Sequence, residues 1–476
     1  MLFSALHIGS QIDQVCHQDS SGPASGPSFL TRAAQALVTG RYQKARPYSV
    51  EAVLLYGVSK YMQREDPDTD PDKEAWIMMG IGARLAMRMG YHRDPRHLAK
   101  ISPFEGEMRR RTFWIIEAFD ILLSSQAGLP AIIHEDECDT EPPSNLFDSD
   151  FGEDCKALPP SRPFTDPTPM LHPCCKGRIM RVFRRVIRYA LSPKTAPYED
   201  VMKLDGELHA RYAEVPASLR IKSLSLSITD QASVILNRLH IELLYLKSLC
   251  MLHRNYLSHE RSNPTFDYSR KTCTEAALQI LSYQAELHAA LQPEGKFCNN
   301  KYMLSSLALH DFLLGAMITC LDLYESYTRS TTLSPEALEA QAKKYDALKY
   351  AHSIWMSRRA FSRDARRASN VLAVVLLKVP RPDIPCSPGS LSQHAPSASH
   401  MSVNGANGME TAASSSGIFS WNMDGINTPG QELNTIFNDM DYIDWVSYES
   451  LQPQLPSALL IDIGIGTFRS SLLWSE

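Results

Sequence analysis

His92-Arg93-Asp94, within the stretch GYHRDP, is the triplet with which a protein kinase draws a proton from a substrate hydroxyl. That chemistry needs an asparagine five positions after the aspartate to hold a metal ion, and Ala99 stands there. It also needs a glycine-rich loop upstream and an Asp-Phe-Gly downstream. The nearest stretches are Gly80-Ile81-Gly82 and Asp311-Phe312-Leu313, so phosphoryl transfer is excluded. His172-Pro173-Cys174-Cys175 offers an imidazole and two thiols, but no further donor follows at metal-site spacing. The acidic stretch HEDECD, residues 134–139, reads as a solvated turn. Gly-x-Ser-x-Gly, His-Glu-x-x-His and phosphate-loop motifs do not occur in the sequence. The chain is therefore read as non-catalytic, without cofactor-binding or metal-binding residues.

The triplet sits at a helix boundary. DPDKEAWIMMGIGARLAMRMG supplies Asp70 as an N-cap, Pro71 at the first helical position and Gly90 as the terminating glycine. The next helix opens at ISPFEGEMRRRTFWIIEAFDILLSS, where Ser102 and Glu105 have capping-box spacing around Pro103. Helical periodicity also marks 49–63, 174–191, 199–213, 229–258, 268–291, 302–327 and 334–378, with a proline-rich loop over 140–173. No alternating β-branched run is found. The expected fold class is all-α: a multi-helical body over 29–380, preceded by a disordered segment, 1–28.

Positions 73–89 are apolar on nearly every side, which predicts a buried helix. Arg84 and Arg88 share a face of it, and a buried guanidinium needs a carboxylate. Asp120, in the equally apolar FWIIEAFDILL, is the matching acid. An Arg84–Asp120 pair is expected to set the helix crossing; the alternative is that both groups reach solvent. Arg109-Arg110-Arg111 cannot form one basic stripe, because consecutive residues spread around a helix. Glu107 is within reach of Arg110 or Arg111, so the run reads as structural. Arg359, Arg363, Arg366 and Arg367 do share a broad helical face, read as a solvated surface with nuclear import as the alternative.

Of the 476 residues, 44% are hydrophobic and 21% charged, values ordinary for a protein with a packed core. Ten scattered cysteines, without a Cys-x-x-Cys, fit reduced thiols better than a disulfide framework. No apolar run reaches the ~18–20 residues of a membrane-spanning helix. Residues 382–468 contain no Lys or Arg and nine acids, so the net charge of −5 divides into an acidic tail and a mildly basic body.

Residues 76–151 resemble the regulatory middle region of fungal zinc-cluster transcription factors. The pieces that carry the likeness are AWIMMGIGARLAMRMGYHRDP, ISPFEGEMRRRTFWIIEAFD, AGLP and DTEPPSNLFDSDF. The family's pattern falls on Arg84, Arg88, His92, Arg93 and Asp94, then Glu107, Arg110, Arg111, Trp114 and Asp120, and then Gly128 and Pro130. Leu129 replaces the usual arginine of that last turn. The resemblance implies a nuclear transcriptional regulator that works through a coactivator or another regulatory protein and is open to homodimerisation. It gives no reason to expect a membrane partner. Zinc in this family belongs to an N-terminal module with six clustered cysteines. Only Cys16 precedes Cys138 here, so zinc and direct DNA contact are expected only of a module outside these residues. The competing reading is a non-catalytic helical scaffold or assembly protein.

The tail divides by composition. Residues 381–420 are rich in Ser, Pro and Gly and are expected to be a disordered linker. Within 421–450, Leu433, Ile436, Phe437, Met440 and Ile443 would share a helical face, with Trp445 close by and Asp439, Asp441 and Asp444 interspersed. Acids mixed with apolar and aromatic groups are the composition of an activation segment; a short helix docking back on the body is the alternative. Residues 451–476 receive no role.

Overall fold

Local signals explain where the helices begin and end. The computed structural model describes residues 1–16, 28–62, 71–192, 197–223, 227, 229–257, 263–298, 306–329, 334–359 and 363–382. Among them there are twelve α-helices and no strand. Helix α1 is Leu2–Cys16, α2 Phe29–Thr39, α3 Ser49–Tyr61, α4 Pro71–Arg88 and α5 Pro103–Gln126. Helix α4 stops at Gly90, whose φ is +79°. There the N–H groups of Gly90 and Tyr91 bond Met87 O and Ala86 O at 3.0 and 2.9 Å, which satisfies the last carbonyls. Ser102 Oγ accepts from Glu105 N at 3.1 Å and so caps α5. The other half of the expected box is replaced: the Glu105 carboxylate takes Arg109 Nη2 at 2.7 Å. Gly128, at φ +63°, ends α5 as Gly90 ends α4, with Leu129 N on Ser124 O at 2.9 Å.

Helices α3, α4 and α5 pack around Val50, Val53, Ala75, Met79, Ala83, Ala86, Phe113, Ile116 and Leu123. Only one face of α4 is buried, however. Ile77 is 55% exposed, and Arg84 and Arg88 also face solvent. The N-terminal segment departs from expectation, since residues 2–16 form α1 and pack on α2 and α3. Ser4 and His7 are buried there, and Ser59 Oγ donates to Ser4 O at 3.3 Å. Its apolar residues carry no recognisable caps, but neighbouring helices give its face something to cover.

Helices α6 (Leu171–Ala190), α7 (Tyr198–Ala213), α8 (Ala232–His253), α9 (Asp267–Ala290), α10 (Ser306–Arg329), α11 (Pro335–Arg358) and α12 (Arg363–Lys378) complete the body. Helix α8 is central, touching α6, α7, α9 and α10. The long helix expected over 334–378 is two helices packed on each other. Arg381 reaches back to Asp346, Nη2 to Oδ2 2.8 Å, which closes that hairpin. Folding back lets Leu348, Ala351 and Trp355 share a core with the Ala368, Leu372 and Val375 side of the chain, which one straight helix could not do. Met1–Pro382 forms one compact unit. The expected linker, activation segment and C-terminal residues, from 383 onward, lie outside the described residues.

Candidate functional site

Asp94, the acid of the opening triplet, is fully buried. It caps the 3-10 turn Pro95–His97 by accepting from Arg96 N at 2.9 Å. Its carboxylate also takes Arg110 Nε and Nη2 at 2.9 and 2.8 Å and Glu141 N at 3.1 Å. Burial alone would raise its pKa. The bonds from Arg110, from the backbone of Arg96 and Glu141 and from the Arg96 side chain outweigh it and hold the carboxyl well below its ordinary range. Such a group is a tie, not a proton acceptor. Arg93 Nε meets Asp139 Oδ2 at 3.1 Å, while Asp139 Oδ1 accepts from Asp94 N at 2.7 Å. His92 contributes its carbonyl, which accepts from Asp139 N at 3.1 Å. The acidic stretch around residue 139 therefore clasps the end of α4.

The three consecutive arginines of α5 diverge, as consecutive helical residues must. Arg109 lies 4.9 Å from the Tyr91 ring centroid. Arg110 takes Asp94, and Arg111 reaches Glu107 at 3.2 Å and Asp148 at 2.6 Å. Glu107, fully buried, also accepts from Ser144 N at 3.0 Å. Each arginine fastens a different piece of chain to α5. The loop behind them is ordered around buried Asn145, whose Nδ2 donates to the carbonyls of Arg162, Pro163 and Asp166 at 3.1–3.2 Å.

Asp120 corrects the expectation made for it. Its partner is Arg184 of α6, Nη1 to Oδ2 3.1 Å, and not Arg84. Asp120 further accepts from Ile132 N and Ile133 N, both at 3.0 Å. Arg184 also donates to Ile133 O at 2.6 Å and Glu117 O at 2.8 Å. Arg84 lies on the solvent side of α4, its Nη1 3.5 Å from Gly80 O of its own helix, and Arg88 Nη1 lies 3.3 Å from Gln43 O. Trp114 seats α5 on α6: its Nε1 donates to Pro173 O at 3.0 Å, and Arg181 stacks 4.8 Å from its ring. Gly177 makes room for that ring. Pro130 follows Gly128 on the exposed turn after α5.

Residues 1–180 match the family model described as the fungal specific transcription factor domain. The chain carries a fungal-specific transcription factor domain. It is 40% identical to the Zn(2)-C6 fungal-type transcription factor pigI of Monascus ruber, over 80% of this chain and 47% of that protein. Identity is 36% to the Zn(2)-C6 fungal-type transcription factor mpsB of Macrophomina phaseolina, over 79% and 52%. It is 34% to the fusarisetin A cluster transcription factor fsa6 of a Fusarium species, over 80% and 50%. The chain thus spans about half the length of these relatives. No solved structure matches it. The matched residues include α1 and the ties around α4, α5 and Asn145, except those to Arg181 and Arg184.

Beyond the matched residues lies a constellation that sequence reasoning missed. His253 Nδ1 is 2.9 Å from Ser269 Oγ, and its Nε2 is 3.0 Å from Asp205 Oδ1. The order Ser-His-Asp resembles a hydrolase triad. It cannot act as one. Ser269 and His253 are fully buried, Ser269 Oγ is shared with Tyr198 OH at 2.7 Å, and Asp205 Oδ2 accepts from Tyr268 OH at 2.8 Å. A buried, fully hydrogen-bonded network of this kind joins α7, α8 and α9 and keeps the serine and histidine away from the surface. Cys174, in the other suspect stretch, donates from Sγ to Pro143 O at 3.2 Å, and burial pushes its thiol up to about 12.

Proposed function

We propose that the chain is the regulatory part of a zinc-cluster-type transcriptional regulator that acts in the nucleus. The observation that carries this reading is the match of residues 1–180 to the fungal-specific transcription factor domain, together with relatives named as transcription factors. Three relatives are named for the fusarisetin A, equisetin and pyrrolocin clusters, which makes a gene cluster the first place to look for targets. The helical body receives a partner or signal, and residues 421–450 engage a coactivator. DNA is reached indirectly or through a zinc module outside these residues. No catalytic step is assigned. The reading is supported by buried carboxylates that are consumed in interhelical ties, which suits a body that transmits a conformational state. Tethering the full chain to a reporter promoter through a heterologous DNA-binding domain tests it. Activation that disappears on deleting 421–450 is expected; a well-expressed, nuclear, inert fusion would refute it.

A further inference from the structure

One group of polar side chains in the body is left with unbalanced charge. His172, Lys176 and Phe183 lie along one stripe of α6, and His240 and Lys247 lie two turns apart on α8. The His172 and His240 ring centroids are 6.3 Å apart. Lys247 Nζ lies 5.5 Å from the Phe183 centroid and 2.7 Å from Asp311 Oδ1 of α10. Three helices thus surround two imidazoles, two amines and one carboxylate. His172, Lys176 and His240 sit deep within the protein. Each nevertheless keeps part of its surface accessible.

Asp311 is engaged by Lys247. Among the described residues Lys176 makes no hydrogen bond or ion pair, and His172 Nε2 is buried without a partner. Burial lowers the Lys176 pKa; Asp311 opposes that shift and Lys247 adds to it, so two ammonium groups share one carboxylate, and an unpaired buried ring nitrogen is costly as well. We propose that these three helices hold a small organic carboxylate between them, its single charge on Lys176 and its oxygens accepting from His172 and His240. One uncompensated ammonium matches one carboxylate, whereas a phosphate dianion would carry excess charge into the interior. Burial and the Lys176 charge push His240 down to about 3, and burial first of all lowers His172 as well. Both rings are therefore neutral at neutral pH, and each has one N–H to donate. That such a ligand is the signal to the regulator rests on the function proposed above; its binding does not.

The full chain is melted with acetate, benzoate and octanoate, and with chloride, phosphate and benzyl alcohol as controls. At least one carboxylate should raise Tm while the controls leave it unchanged. Lys176→Met removes the unpaired charge, so it should melt higher than the wild type without ligand. By calorimetry it should bind the active carboxylate about tenfold more weakly or worse. Lys176→Gln is the second variant, with the same expectation. No shift with any carboxylate, or undiminished affinity in both variants, overturns the proposal. Carboxylate binding that leaves the tethered reporter unmoved supports the site and counts against the regulatory reading.

Discussion

Replacing Arg184 with methionine removes the cation from the tie between α5 and α6. Asp120 would then sit 3% exposed with only the Ile132 and Ile133 N–H groups, and the carbonyls of Glu117 and Ile133 would lose a donor. Breaking one side of a buried pair costs about 3–5 kcal/mol, a large share of an ordinary domain's stability. Arg84→Met, on the solvent side of α4, should change stability by no more than about 0.5 kcal/mol. Urea unfolding of both variants, followed by circular dichroism, separates them. A double-mutant cycle adds the partner: Arg184→Met with Asp120→Asn should couple by about 1–3 kcal/mol, and Arg84→Met with Asp120→Asn should be additive. Equal losses for the two arginines, or coupling only through Arg84, would refute the assignment.

Gly177→Ala would place a Cβ 1.9 Å from Trp114 Cζ2, and the resulting overpacking should cost about 1–3 kcal/mol in the same unfolding assay, with a changed tryptophan emission. Asp94 and Asp205 have folded pKa values below the ordinary carboxylate value, so the stability they contribute is present above about pH 4 and is lost as pH falls through the folded values. Asp94→Asn should therefore be less stable at pH 7 and show a shallower loss in acid, measured as urea midpoint against pH. In the tail, alanine at Phe437, Met440 and Trp445 should abolish tethered reporter output, since burying each apolar side chain contributes about 1.5–3 kcal/mol. Asparagine at Asp439 and Asp441 should only reduce it, because exposed charges are screened beyond about 8 Å.

Features written within a few residues were legible before the fold. Ser102 and Pro103 open α5, Gly90 and Gly128 close helices with positive φ, and Glu107 meets the arginines one turn along. These depend on capping and helical spacing, which are local. The Asp120 partner depends on a contact 64 positions away, and an apolar pattern says that a helix is covered without saying by which neighbour. Arg184 stands between Phe183 and Val186 in an apolar stripe, so the argument applied to Arg84 would have flagged it as well. The Ser269–His253–Asp205 network joins three helices and has no spacing signature. Residues 2–16 were missed because tertiary cover, more than intrinsic helix preference, orders them.

The central claim is that this protein controls transcription. Rapid induced depletion of the protein in the cell that encodes it, followed by nascent-transcript sequencing, tests it most directly. The account predicts a prompt, coherent change confined to a set of target genes, concentrated in a physically linked cluster. Complete depletion with no prompt change in any nascent transcript would contradict it.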